Sequence, residues 1–145
     1  NYKPKEISEI TGLPVYTAMM DSRIKQILCA EKQGIRVETR HTSPQDFLSL
    51  IKYSDLVVTD SFHGTAFSIL FHKDFIVFDN GSDLQSDPYY NIDRMNTLLT
   101  LLELEERVIN NNEEYSNKTI DYQRVDQILN KRRNECISLL QRSIG

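Results

Sequence analysis

At 145 residues, 39% hydrophobic and 26% charged, the chain has the size and balance of one soluble globular domain with a single core. A formal net charge of −4 argues against a nucleic-acid binder, and no apolar run approaches the roughly 20 residues needed to span a bilayer. Cys29 and Cys136 lie far apart, outside any CxxC or Cys/His cluster, which speaks against a metal site or disulfide framework and suits a reducing, cytoplasmic compartment.

The chain opens on Asn1 rather than Met and reads as a piece of a longer protein. Lys5 to Thr11 predicts a short helix, with Ile7 and Ile10 on one face, Pro4 in the first turn and Gly12 as C-terminal cap. Val15-Tyr16-Thr17 reads as a strand. Signals from Met19 to Gln33 are mixed, with a helical turn around Ile24, Ile27 and Leu28. Ile35 to Thr39 alternates apolar and polar residues, the period of a half-buried strand. Thr42-Ser43-Pro44 is a helix start, with a capping hydroxyl, Pro at the first position and Asp46 in the first turn. Phe47, Leu48, Leu50 and Ile51 carry that helix to about Tyr53-Ser54.

The stretch from Asp55 to Phe78 organises the whole. Leu56-Val57-Val58-Thr59 is a buried-strand run, Asp60 and Ser61 are helix N-cap types, Phe62 to Phe71 has helical spacing, and Phe75 to Phe78 is a second strand. Together they make one βαβ unit, the building block of parallel sheets. Its turn sets Asp60, Ser61, His63, Gly64 and Thr65 at a strand's carboxyl end and a helix's amino end. Free N–H groups and the positive dipole end favour anions there.

Asp79 to Asp93 is polar and turn-rich, with Tyr89 and Tyr90 embedded, and predicts a ligand-facing loop at the same edge. Ile92 to Leu104 predicts a helix, Arg107-Val108-Ile109 a short strand before the Asn110 to Asn112 turn, and Asp121 to Ile144 a long closing helix. Alternating helices and strands over residues 1–145 give one α/β domain, a three-layer αβα Rossmann-like sandwich with a mainly parallel sheet.

The stretch SDLVVTDSFHGTAFSILFHKDFIVF resembles the hallmark of the polysaccharide pyruvyl transferase family. The likeness continues through Arg94 to Leu99, Leu104 to Arg107 and Ile120 to Tyr122, covering roughly Pro44 to Leu140; residues before that match in element order. The resemblance implies a two-domain, glycosyltransferase-B-like bacterial enzyme of which this chain is the C-terminal half. It implies cytoplasmic transfer of a pyruvyl group from phosphoenolpyruvate, with no other cofactor, onto sugar hydroxyls of a surface polysaccharide. The partners would be that donor, a glycan acceptor and an N-terminal domain, with membrane contact at most peripheral. Carried onto this sequence, the motif histidine is His63. Many members carry a basic residue just before it; Ser61-Phe62 stand there here, so the positive charge has to come from elsewhere, Arg94 being the candidate.

Phosphoenolpyruvate places a carboxylate beside a phosphate, and its chemistry needs a group that moves a proton near neutral pH and fixed donors for two anions. His63 and Asp60 are the candidate catalytic residues, and Ser61, His63, Gly64, Thr65 and Arg94 the candidate substrate ligands. The same residues have plainer readings. His63 can pack at the sheet edge, Asp60 or Ser61 can cap the helix, Thr65 can be a first-turn residue, and Arg94 can pair with Asp93 or Glu103. Arg107 reads as structural, His41 and His72 as surface residues, and Lys131-Arg132-Arg133 as a solvated face or an anionic-membrane contact. The alternatives in function are a nucleotide-sugar glycosyltransferase and a non-catalytic binding domain on the same fold.

Overall fold

The structure is a computed structural model describing residues 3–18, 36–38, 43–79, 92–110 and 118–144. Its elements in chain order are α1 (Lys3–Thr11), β1 (Tyr16–Ala18), β2 (Arg36–Glu38), α2 (Pro44–Tyr53), β3 (Leu56–Thr59) and α3 (Phe62–Leu70). They continue as β4 (Asp74–Asp79), α4 (Ile92–Leu102), a 3₁₀ turn at Glu105–Arg107, β5 (Val108–Asn110) and α5 (Tyr122–Ile144). The helical turn expected around Ile24, the Tyr89-Tyr90 loop and most of the Asn110–Asn112 turn lie outside the described residues.

Every described strand pairing is parallel. β1 and β2 form a two-stranded ladder, and β3, β4 and β5 form a sheet in that order, with Thr59 opposite Val77 and Asp79 opposite Asn110. β4 is central, and alternate residues feed two separate cores. Phe75 and Val77 pack with Ile69, Met95, Leu99, Leu102, Leu104 and Val125 from α3, α4, α5 and the connection after α4. On the other face Ile76 packs with Ile7 of α1 and Ile109, flanked by Leu56, Val58 and Phe78. Helices on both faces of a parallel sheet make the expected α/β Rossmann-like sandwich.

The helix starts are chemically local. Ser43 caps α2, its hydroxyl accepting the Asp46 N–H while the Asp46 carboxylate accepts the Ser43 N–H, with Pro44 at the first position. Two helix ends depart from sequence expectation. α4 stops at Leu102, two residues before the expected Leu104, because Glu103 takes a left-handed conformation (φ 58°). The Glu103 and Leu104 N–H groups then bond back to the Thr100 and Leu99 carbonyls. α3 closes in the same way through His72 (φ 52°), whose N–H and that of Lys73 reach the Ile69 and Ser68 carbonyls. These are Schellman closures without glycine, invisible to a search for Gly at the helix end.

His72 is also more than the surface residue expected. Its ring stacks on Tyr122 (4.6 Å between centroids, 22°), and Nε2 lies 3.1 Å from Asp126 Oδ1. Arg107, expected to be structural, is 4% exposed, donates to the Lys118 carbonyl and lies 3.6 Å from Asp74 Oδ1. Both clusters sit where β4 and β5 begin, opposite to the edge that carries the βαβ turn.

Candidate functional site at the carboxyl edge of the sheet

The site begins at Thr59, the last residue of β3. Its Oγ1 accepts the Ser61 N–H at 3.0 Å, turning the chain out of the strand, and Ser61 becomes the N-cap of α3. The Ser61 hydroxyl accepts the Gly64 N–H at 3.5 Å, and its carbonyl accepts the Thr65 N–H at 3.0 Å. Capping therefore occupies Gly64 and Thr65. The N–H groups of Phe62 and His63, at the first two helical positions, face the helix's amino end, where its dipole is positive.

Asp60 and His63 are exposed at this end and Ser61 is half-buried. The described contact of the imidazole is an edge-on approach to Phe62, with ring centroids 6.0 Å apart at 84°, rather than a hydrogen bond to Asp60. Thr65 is fully buried. Its hydroxyl lies 3.1 Å from both the Ser61 carbonyl and Met95 Sδ, so its side chain joins the first turns of α3 and α4 from beneath. Gly64 is buried as well. A Cβ there would stand 2.4 Å from Thr59 Oγ1, so this glycine lets the helix sit tightly on the strand end.

Arg94 lies in the first turn of α4, which follows β4 as α3 follows β3, so both helices start at the same edge. Its guanidinium carbon sits 5.5 Å from the centroid of the Phe62 ring. Of the two partners that a plain surface reading offers it, Asp93 and Glu103, Glu103 is paired with Arg124. Of the candidate residues, the structure thus brings Asp60, Ser61, His63 and Arg94 to one rim, and sets Gly64 and Thr65 under it. Sequence reading missed Thr59 and Phe62. Thr59 carried a readable signal, a hydroxyl residue directly before the capping pair; Phe62 carried none, because its contact with Arg94 spans two elements. A surface groove of about 850 Å³ between α4 and α5, lined by residues including Asn96, Thr100 and Arg132, contains none of the rim residues. Among the described residues no cluster of His, Cys, Asp and Glu could hold a metal, and no helix is long and apolar enough to cross a membrane.

A family model described as polysaccharide pyruvyl transferase matches residues 4–82, more than half of the chain and all of the turn from Asp60 to Thr65. The chain belongs to the polysaccharide pyruvyl transferase family. The match reaches back through α1, β1 and β2, where the sequence resemblance had rested on element order alone, and it stops before α4. No curated protein and no solved structure matches the chain. In this member of a transferase family, then, the matched segment carries His63 and its turn. Arg94 reaches the same rim from beyond the match.

Proposed function

We propose that this domain carries the donor site of an enzyme that moves a pyruvyl group from phosphoenolpyruvate onto sugar hydroxyls of a bacterial surface polysaccharide, forming a pyruvate ketal. The observation that carries the reading is the convergence of His63, the first N–H groups of α3 and the Arg94 guanidinium at the carboxyl edge of a parallel sheet. Open α/β sheets bind ligands at that edge, and a helix amino end with a guanidinium beside it suits a ligand bearing two anionic groups.

In this reading the first sugar hydroxyl adds to C2 of the donor while a proton is delivered to the C3 methylene, which becomes the methyl group. The C2–O bond to phosphate then breaks, a second hydroxyl of the same sugar adds to C2, and its proton leaves with the phosphate. In this reading His63 delivers the proton to carbon or hydrogen-bonds the departing phosphate, and Asp60 takes the proton of an incoming hydroxyl. The Phe62 and His63 N–H groups, the Ser61 hydroxyl and Arg94 hold the carboxylate and phosphate; Gly64 and Thr65 fix the turn from below. The acceptor is held largely by another domain, in a glycosyltransferase-B-like pair.

Calorimetric titration of the protein and of His63→Ala with phosphoenolpyruvate, UDP and GDP tests this. The expected result is saturable phosphoenolpyruvate binding, weakened at least about tenfold by the substitution, the loss of one charge-assisted contact. Binding of UDP or GDP in place of phosphoenolpyruvate would overturn the reading in favour of nucleotide-sugar glycosyl transfer. Phosphoenolpyruvate binding indifferent to His63→Ala would remove the turn from the site.

A further inference from the structure

Phe62 stands between the two groups to which the donor site assigns most. Its ring centroid is 5.5 Å from the Arg94 guanidinium carbon and 6.0 Å from the His63 ring, which meets it nearly at right angles (84°). A guanidinium within about 6 Å of an aromatic centroid is attracted by the ring's negative face, and an edge-to-face neighbour is a preferred aromatic geometry. The backbone holds this arrangement in register. Directly beneath it the buried Thr65 hydroxyl meets Met95 Sδ at 3.1 Å, so the turn after Phe62 and the residue after Arg94 are joined in the core. A ring face against the guanidinium narrows the rotamers of a long arginine side chain and lowers the entropy lost when it engages an anion.

We infer that Phe62 is a positioning residue for the donor: its ring seats the Arg94 guanidinium beside His63, so that one anionic ligand meets both. The inference rests on the proposed donor reading and adds to it a side chain with no charge and no hydrogen-bonding group. It also accounts for Ser61-Phe62 preceding the histidine. The cation comes from the neighbouring helix, and the residue before His63 supplies the surface that holds it.

A double-mutant cycle on phosphoenolpyruvate binding tests the inference, using Phe62→Leu, Arg94→Ala and both together, with Phe62→Tyr as the variant that keeps an aromatic face and thermal melts to confirm folding. Phe62→Leu is expected to weaken binding about fivefold to tenfold, the scale of one lost cation–π contact, while Phe62→Tyr binds as the parent does. Added to Arg94→Ala, Phe62→Leu is expected to cost nothing more, because the group it seats is already gone. Additive losses, or a Phe62→Tyr variant as weak as Phe62→Leu, would overturn the seat while leaving the donor site standing. A parent protein that binds no phosphoenolpyruvate would remove the donor reading and the seat with it.

Discussion

Gly64 and Thr59 show how a residue can look like a ligand contact and be a packing contact. The Thr59 hydroxyl cannot move away from an added Cβ without giving up the Ser61 N–H that it accepts, so an alanine at 64 forces α3 off the end of β3. Gly64→Ala should destabilise the fold by about 1–3 kcal/mol, the usual cost of overpacking, as read from urea unfolding. Combined with Thr59→Ala, which deletes the obstructing oxygen, it should cost clearly less than the sum of the two single changes. The same two residues mark how far the site could be read from the chain. Ser61 as cap and His63 at the helix start follow from local backbone chemistry, which four or five consecutive residues determine. The burial of Thr65 against Met95 and the seating of Arg94 on Phe62 depend on how two helices dock, and no local pattern encodes that.

At the scale of elements, most helix boundaries were legible, the Gly12 end of α1 and the Tyr53 end of α2 among them, and the ends of α3 and α4 were not. Ser43, Pro44 and Asp46 announce α2 through a capping box written in adjacent letters. The closures of α3 and α4 at His72 and Glu103 carry no glycine, and what holds His72 is distant in sequence: the Tyr122 ring and the Asp126 carboxylate, both on α5. Tyr122 is the tie between α5 and the α3–β4 connection, its hydroxyl donating to the Lys73 carbonyl. Burial, reinforced by the Asp74 carboxylate, raises the Tyr122 phenol above its ordinary value, so the folded state favours the neutral form. An unfolded tyrosine gives up its proton near pH 10 while the folded one keeps it, so this contribution is whole below pH about 10 and declines as pH rises beyond it. Urea midpoints measured between pH 8 and 11 should fall more steeply for the parent protein than for Tyr122→Phe. The variant should also be less stable at pH 8 by about 1–2 kcal/mol, through a carbonyl left without its donor. Parallel slopes would show that the phenol does not couple to folding.

For the whole molecule, the sheet divides the hydrophobic residues into two sets, and helical spacing along α5 does not say where the larger set ends. Val125, Ile128 and Leu129 belong to the core on the α3–α4 side of the sheet, yet the same stripe runs on through Cys136, Leu139 and Leu140, all exposed. Periodicity records which face of a helix is apolar, whereas burial depends on how far the rest of the body extends, and here α5 outruns it by about 20 Å. A leucine inside that core and one beyond its reach should therefore respond differently to the same substitution. Leu99, fully buried between α4 and β4, should lose about 2–5 kcal/mol as Leu99→Ala, since removal of its side chain leaves a cavity in close-packed surroundings. Leu140, 61% exposed, should stay within about 0.5 kcal/mol as Leu140→Ala. Chemical denaturation of both variants, with the slope checked against the parent, decides the matter. A loss at Leu140 approaching that at Leu99 would mean that in solution this end of α5 is covered, and that the folded unit includes a surface beyond the two cores of the sheet.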